Sequence, residues 1–168
     1  MTASSTTKPV EEGMHTVTAH LVCAGAADAI AFYVRAFGAE EVMRLPDPEG
    51  KLAHAALRIG DSMVMLMDEY PNWDARGPKA LGGTSVTLHL SVSDVDSAFK
   101  RAIEAGAVSR MEPADMFWGD RYGVVKDPFG HNWSIAHPLR DTVMSEAELR
   151  EAAKDAMCGQ PAEPAPAA

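Results

Sequence analysis

Apolar and polar residues follow the same short pattern at two places in the chain. VTAHLV begins at Val17 and VTLHLS begins at Val86, and each has a histidine in the fourth place. Both stretches are rich in β-branched and apolar residues, which is typical of strands. Gly60 and Gly130 match at nearly the same spacing. The chain therefore contains a duplicated unit of about 70 residues, longer than the roughly 20–50 residues of a solenoid repeat.

The first unit has the predicted order β-α-β-β-β. HTVTAHLVC is a predicted strand, and AADAIAFYVRAF has apolar residues at helical spacing and a glycine, Gly38, at its end. EEVMRL is a short predicted strand. KLAHAALRI and SMVMLMD are two more strands, joined by the hairpin signal Gly60-Asp61. In SMVMLMD the three methionines alternate, so they share one face, where they either fill core gaps or line an adaptable pocket.

The second unit repeats this order after residue 84. Its helix is expected to begin with Ser93 as the N-cap. A turn, DPFG, precedes its last strand, HNWSIAH. Beyond it, Ser145 and Glu148 form a capping-box pattern that predicts a final helix over 145–157.

The same patterns predict where the chain divides. We expect one domain, 14–140, made of two modules, because breaker residues such as those in EYPNWDARGPKALGG separate the two units. Both ends are polar or rich in proline and alanine. The predicted parts are a flexible N-terminus 1–13, module one 14–68, a linker 69–83, module two 84–140, a C-terminal helix 141–157 and a disordered tail 158–168.

Composition excludes several classes of function. The chain has 168 residues, a net charge of −9 and a pI near 5.0, so we expect neither nucleic acid nor an anionic membrane as a partner. No apolar run approaches the roughly 20 residues of a membrane span. The first residues lack the apolar stretch of a secretory signal, and two cysteines make no disulfide framework. A cytoplasmic location is the simplest expectation, with Cys23 buried on a strand and inert.

Two stretches carry a resemblance to a known family: AIAFYVRAFGAEEV in the first helix and FWGDRYGVVKDPFGHNW near the end of the second unit. With the doubled β-α-β-β-β order, the chain resembles the vicinal oxygen chelate superfamily, of the glyoxalase, bleomycin-resistance protein and dioxygenase type, in its PhnB-like branch. The resemblance implies an α+β fold whose two modules form paired, curved mixed sheets around a cleft. It also implies a homodimer, which would cover the open sheets and their edges.

The resemblance also raises the question of whether the chain binds a metal ion. In metal-using members, histidines on the first strand of each module are frequent ligands for Zn, Ni, Mn or Fe, and His20 and His89 match those positions. Members also place a glutamate four residues after the glycine that precedes the last strand. Here those positions hold Ser134 and Val64. Because both carboxylates are missing, a tightly bound divalent metal is not expected.

Other candidate ligand-binding residues cluster near the end of module two. Arg121 is suited to a carboxylate or phosphate, with Asp120 to orient it, or else an Asp–Arg pair fixes a loop. Aromatic side chains here form either a wall for a planar ligand or part of the core. His131 either binds a ligand or braces the DPFG turn. The candidates are His20, His89, Trp118, Asp120, Arg121, Tyr122, His131, Trp133 and Ser134.

Two functions remain open from the sequence. The first is a binder of a small molecule in a dimer cleft, without a tightly bound metal. The second is a lyase, isomerase or dioxygenase that holds a divalent metal with His20 and His89. In both cases we expect these histidines to point into a concave pocket with Ser134, because His20 and Leu21, like His89 and Leu90, face opposite sides of a strand.

Overall fold

The computed structural model describes residues 14–157, and the predicted flexible ends at 1–13 and 158–168 lie outside the described residues. Two four-stranded sheets with helices make up an α+β fold, as predicted. In chain order the first half contains β1 (Ala19–Cys23), α1 (Ala26–Phe37), β2 (Glu40–Pro46), β3 (Leu52–Ile59) and β4 (Ser62–Asp68). A 3-10 turn, Pro71–Trp73, and the short helix α2 (Pro78–Leu81) follow.

The second half repeats the same order. Its elements are β5 (Thr87–Ser91), α3 (Val95–Ala105), β6 (Val108–Asp115), β7 (Asp120–Lys126), β8 (Asn132–Pro138) and finally α4 (Glu146–Met157). The predicted C-terminal helix is therefore present. Its capping box is confirmed, since the Ser145 amide donates to Glu148 Oε2 at 2.7 Å and the Glu148 amide donates to the Ser145 hydroxyl at 3.3 Å.

The two sheets have equivalent topology. Sheet one has the strand order β1-β4-β3-β2 and sheet two has the order β5-β8-β7-β6. In each, the first strand pairs in parallel with the last strand of its half, and the other pairs are antiparallel. This equivalence confirms the duplication that the sequence pattern predicted.

The helices α1 and α3 pack against each other and against the sheets, so one continuous core spans both halves. Its largest fully buried side chains include Tyr33 and Phe32 of α1 and Leu66 of sheet one. Each such large apolar side chain contributes about 1.5–3 kcal/mol when buried. The two halves are thus held together by apolar packing through their helices.

The N-cap of α3 differs from the expectation. The structure places Asp94, not Ser93, at this position, and its carboxylate accepts a hydrogen bond from the Ser97 amide at 3.0 Å. Ser and Asp are both good N-caps, so residue type alone did not decide between neighbours. Asp94 is the N-cap because its carboxylate can reach the Ser97 amide three residues ahead, which has no backbone partner in the first turn of the helix.

Strand alternation leaves one face of each sheet uncovered by the helices. In sheet one, Leu21 and Leu66 point to the core, so the open face of sheet one carries His20, His54, Met63, Met65 and Met67. In sheet two, Trp133 and Ile135 point to the core, so the open face of sheet two carries His89, Tyr122 and Ser134.

Candidate functional site

His89 and Ser134 lie side by side on the open face of sheet two. They are register partners on the parallel strands β5 and β8, and His89 Nδ1 is hydrogen bonded to the Ser134 hydroxyl at 2.8 Å. Ser134 is only 2% exposed, whereas the His89 ring is exposed. The serine therefore fixes the orientation of a ring that a ligand can reach.

Aromatic side chains extend this arrangement across sheet two. The Tyr122 ring lies nearly parallel to the His89 ring, with centroids 6.4 Å apart. The Trp118 ring meets Tyr122 edge-on at 5.5 Å, and its Nε1 donates to Asp120 Oδ2 at 3.1 Å. These residues are called the His89 cluster: His89, Trp118, Asp120, Tyr122 and Ser134. It offers ring faces together with hydrogen-bonding groups, which is how sites for small planar molecules are built.

Arg121 points away from this cluster. Its guanidinium forms two hydrogen bonds with Asp96, at 2.6 and 2.7 Å, and a third with Asp115 at 2.8 Å. The hydrogen bond from Arg121 is the main cause that lowers the pKa of Asp96. Its partners are thus Asp96 and Asp115 rather than Asp120, and they tie α3 to sheet two.

Trp133 lies in the core and is 3% exposed. Its ring centroid is 4.7 Å from that of Phe37, and its Nε1 donates to Asp127 Oδ2 at 3.0 Å. It therefore lies on the opposite side of β8 from Ser134, as strand alternation requires. Of the predicted aromatic wall, Trp118 and Tyr122 reach the open face and Trp133 does not.

A buried carboxylate that we did not single out from the sequence organises this region. Asp127, the first residue of DPFG, is 4% exposed. It accepts hydrogen bonds from the Tyr33 hydroxyl at 2.7 Å, from Trp133, and from the amides of Phe129 and His131 at 2.9 Å each. The DPFG turn signalled the backbone contacts, but nothing in the sequence signalled that Tyr33 of α1 would join them.

His131 braces the join between the two halves. It is buried, and its Nε2 donates to the Val22 carbonyl of β1 at 3.2 Å and lies 3.8 Å from Cys23 Sγ. Cys23 is fully buried, and burial, followed by the charge of Asp127, raises the pKa of its thiol to about 12. The prediction that this cysteine is buried is confirmed, and at neutral pH so high a pKa leaves almost no thiolate.

The surroundings of His20 differ from those of His89. The His20 ring meets the ring of His54 edge-on, with centroids 5.7 Å apart. Partial burial of the imidazole, followed by repulsion from His54, lowers the pKa of His20. The two strand histidines thus occupy equivalent positions in the two halves but have different neighbours.

Two cavities lie between the halves, and Ala19 and Leu88 line both. The first, of about 440 Å³, is lined by His89, Trp133, Phe37 and Arg101 among others. The second, of about 470 Å³, is lined by His20 and His131. The structure therefore places His20 and His89 at separate cavities rather than in one pocket within a chain.

The residues present do not fit a divalent metal between His20 and His89. Ser134 lies beside His89 at one of the two carboxylate positions that the resemblance implies. In the first half the residue beside His20 is Met65 and not Val64, which packs in the core, so the count of four residues from Gly60 was wrong by one; neither Ser134 nor Met65 is a carboxylate. Across residues 14–157, no group of three or more His, Cys, Asp or Glu side chains is arranged to hold a metal ion. A divalent cation such as zinc normally takes three or four protein ligands, and among the described residues this position offers two histidines.

A separate observation concerns membranes. None of the helices described between residues 14 and 157 is long and apolar enough to cross a bilayer.

Known proteins provide further comparison. An uncharacterized protein of Mycobacterium bovis is 53% identical over 132 residues, which cover 77% of this chain and 87% of that protein. The crystal structure of TioX from Micromonospora sp. ML1 is 30% identical, with a TM-score of 0.60, and covers 75% of this chain and 100% of TioX. A PhnB protein from Bacillus cereus is 20% identical with a TM-score of 0.57, covering 72% of this chain and 98% of that one, and shows the fold alone.

The sequence profile of one family matches residues 13–135, which is most of the described chain. That match agrees with the doubled β-α-β-β-β topology and with the structural neighbours. The chain therefore belongs to the glyoxalase/bleomycin resistance protein/dioxygenase superfamily.

Proposed function

We propose that this protein binds a small planar molecule at the His89 cluster, in a cleft that a second copy of the chain closes, without a tightly bound divalent metal. The observation that carries the proposal is the arrangement of His89, Tyr122 and Trp118. Their rings follow one another along the open face of sheet two at 6.4 and 5.5 Å. Ring stacking supplies affinity for a planar ligand, and His89 and Asp120 supply hydrogen-bonding groups that orient it.

The exposed surface of sheet one supports a second copy as the cover. Strand β2 is an edge strand whose seven residues are all exposed, among them Val42 at 51% and Leu45 at 55%. Exposed apolar side chains on an edge strand, whose outer side has no partner strand, favour association with another chain. Most homo-oligomers are twofold dimers, so a dimer is the expected state.

Fluorescence of 8-anilinonaphthalene-1-sulfonate, an anion with a planar naphthalene ring system, tests the site. We expect Trp118→Ala and Tyr122→Ala to weaken binding of this probe by roughly tenfold, because each removes a stacking surface worth about 1 kcal/mol or more. Trp73→Ala is the matched control, since Trp73 is an exposed tryptophan that stacks on Tyr70 in the linker. Equal loss in all three variants, or no binding by the native protein, would contradict the proposal.

Sedimentation tests the second copy. We expect a dimer at micromolar concentration, and Leu45→Arg should shift it toward monomer by placing a charge on the exposed edge strand. A native species of 18.0 kDa under these conditions would contradict the dimer.

The alternative function is a divalent-metal-dependent lyase, isomerase or dioxygenase. The equivalent positions of His20 and His89 on the first strands of the two halves favour it. In that case a second copy would bring His20 of one chain toward His89 of the other.

Titration of zinc or nickel into protein without an affinity tag separates the two functions. If the small-molecule proposal holds, the native protein binds neither metal tightly, and Ser134→Glu lowers the free energy of unfolding by a few kcal/mol, because it buries an unpaired charge. Stoichiometric tight binding by the native protein would support the metal enzyme instead. Ser134→Glu tests only the position, since no gain of metal affinity in this variant would show that Ser134 is not at the vacant ligand position.

A further inference from the structure

The open face of sheet one brings two histidines together above a strand of methionines. His20 lies on β1 and His54 on β3, and the strand order places β4 between them. Their ring centroids are nevertheless only 5.7 Å apart. The two side chains therefore lean toward each other over β4.

The residues of β4 below these rings carry thioether side chains. Met65 is the register partner of His20, and Met67 is the register partner of Val22, two residues further along. Because alternate residues of a strand share a face, both methionines lie on the same face as His20. Ala55 pairs with Leu66, and His54 lies one residue before Ala55 while Met67 lies one residue after Leu66. Continuing this antiparallel register places His54 across from Met67. Two imidazoles and two thioethers thus occupy one small area.

The spacing of the rings suits a shared metal ion. Imidazole nitrogens bind transition metals at about 2.0 Å, so two histidines on one ion have ring centroids roughly 5–6 Å apart. The value of 5.7 Å falls in that range, so from their edge-on arrangement the two rings need to rotate about their side-chain bonds, without any movement of the backbone, to aim one nitrogen each at a single ion. Both side chains are at least partly accessible, since His20 is exposed and His54 is half-buried.

The chemical type of the donor atoms determines which metal ion the site favours. Thioethers are soft ligands that select Cu(I), whereas Zn, Mn and Mg favour thiolate, imidazole and carboxylate in different combinations. Among the described residues, no cluster of three His, Cys, Asp or Glu side chains offers a competing site for a harder cation. We propose that the open face of sheet one binds Cu(I) through His20, His54, Met65 and Met67. All four ligands come from a single chain, and none of them belongs to the His89 cluster.

Competition for Cu(I) with bicinchoninate, under anaerobic and reducing conditions, tests the proposal. The starting protein carries Cys158→Ser, because the thiol of Cys158 would itself bind Cu(I). We expect this protein to take one equivalent of Cu(I) from the chelator. His54→Gln and Met65→Leu should each weaken Cu(I) binding by roughly tenfold or more, as loss of a ligand does.

Matched variants on the same elements supply the controls. Met63→Leu removes the same type of side chain from the same face of β4, but Met63 pairs with Arg58 near the hairpin and should leave the affinity for Cu(I) unchanged. His89→Gln should also leave it unchanged, although it should abolish binding of the planar probe. Circular dichroism checks that each variant is folded.

The outcomes separate the two proposals. Failure to compete with bicinchoninate, or equal Cu(I) affinity in the His54→Gln and Met63→Leu proteins, would overturn the copper site and leave the proposal for His89 intact. Loss of Cu(I) binding in His89→Gln would assign the metal to a shared His20–His89 site instead and overturn both.

Discussion

Two aspartate turns, one in each half, have the same backbone pattern and different surroundings. Asp47, between β2 and β3, accepts hydrogen bonds from the amides two and four residues ahead, at 3.0 and 2.8 Å. Asp127, between β7 and β8, does the same at 2.9 Å for both. The second oxygen of Asp47 binds the Tyr70 hydroxyl near the surface, whereas that of Asp127 binds Tyr33 and Trp133 in the core.

The difference shows where the halves are joined. Tyr33 belongs to α1, so its hydrogen bond to Asp127 links the first half to the second. Four residues after Asp127, His131 adds a second link through the Val22 carbonyl. The same local turn thus reaches only as far as Tyr70 of the linker in the first half, whereas in the second half it connects the two halves of the domain.

The largest expected effect comes from removing the buried carboxylate. Asp127→Ala leaves two buried side-chain donors and two amides without a partner, and should lower the free energy of unfolding by roughly 3 kcal/mol or more. Asp47→Ala should cost much less, since water can replace its contacts. Urea denaturation of both variants measures the contrast, and equal losses would show that the two turns are energetically alike.

If Asp127→Ala does not fold, Tyr33→Phe still measures the contact between the two halves. It removes one of the hydrogen bonds of Asp127 and keeps the ring, so we expect a loss of about 1 kcal/mol in the same measurement. An unchanged midpoint would mean that the Tyr33–Asp127 contact contributes nothing to joining the halves.

Two equivalent glycines sharpen the comparison. Gly130 has a φ of +100°, and an added Cβ would lie 2.9 Å from Pro78 Cβ, whereas Gly60 has a φ of +59° with open space around it. Gly130→Ala should therefore cost about 2–3 kcal/mol through strain and contact, and Gly60→Ala about 1 kcal/mol. Thermal unfolding distinguishes them, and the reverse order would mean that the linker moves away from Gly130 freely.

The smallest expected effect concerns the two histidines on sheet one. The pKa of His20 should lie below its ordinary value of 6.5, first because of burial and then because of His54. His54→Gln should raise the pKa of His20 part of the way back, measured by imidazole NMR. Because the folded pKa is depressed, the associated stability is present above pH 6.5 and lost as pH falls through the lowered pKa. No change in the His20 titration would show that burial alone sets its pKa.

The fold could be predicted because its signals are local and repeated. Matching strands, helix-ending glycines and the capping box at Ser145 each act over a few residues, and their recurrence specified two equivalent modules. The pairing of His89 with Ser134 also followed from strand alternation and the position of Gly130.

The rest depended on contacts between distant parts of the chain. Arg121 and Asp96 are 25 residues apart, and Tyr33 and Asp127 are 94 apart, so neither pairing had a local signal. The separation of His20 and His89 depends in the same way on how the two halves pack. Strand alternation specified the face of each residue but not which faces would meet.

The position of Cys23 makes its thiol a probe of the separation of the two halves. Its sulfur is fully buried against His131, so an alkylating reagent can reach it only when β1 and the DPFG turn part. Under conditions where reclosing is fast, the ratio of the alkylation rate in the folded protein to that of an unprotected thiol gives the population of the parted state. The protein therefore carries, without any engineered label, a chemical probe of the fraction of time that its two halves spend apart.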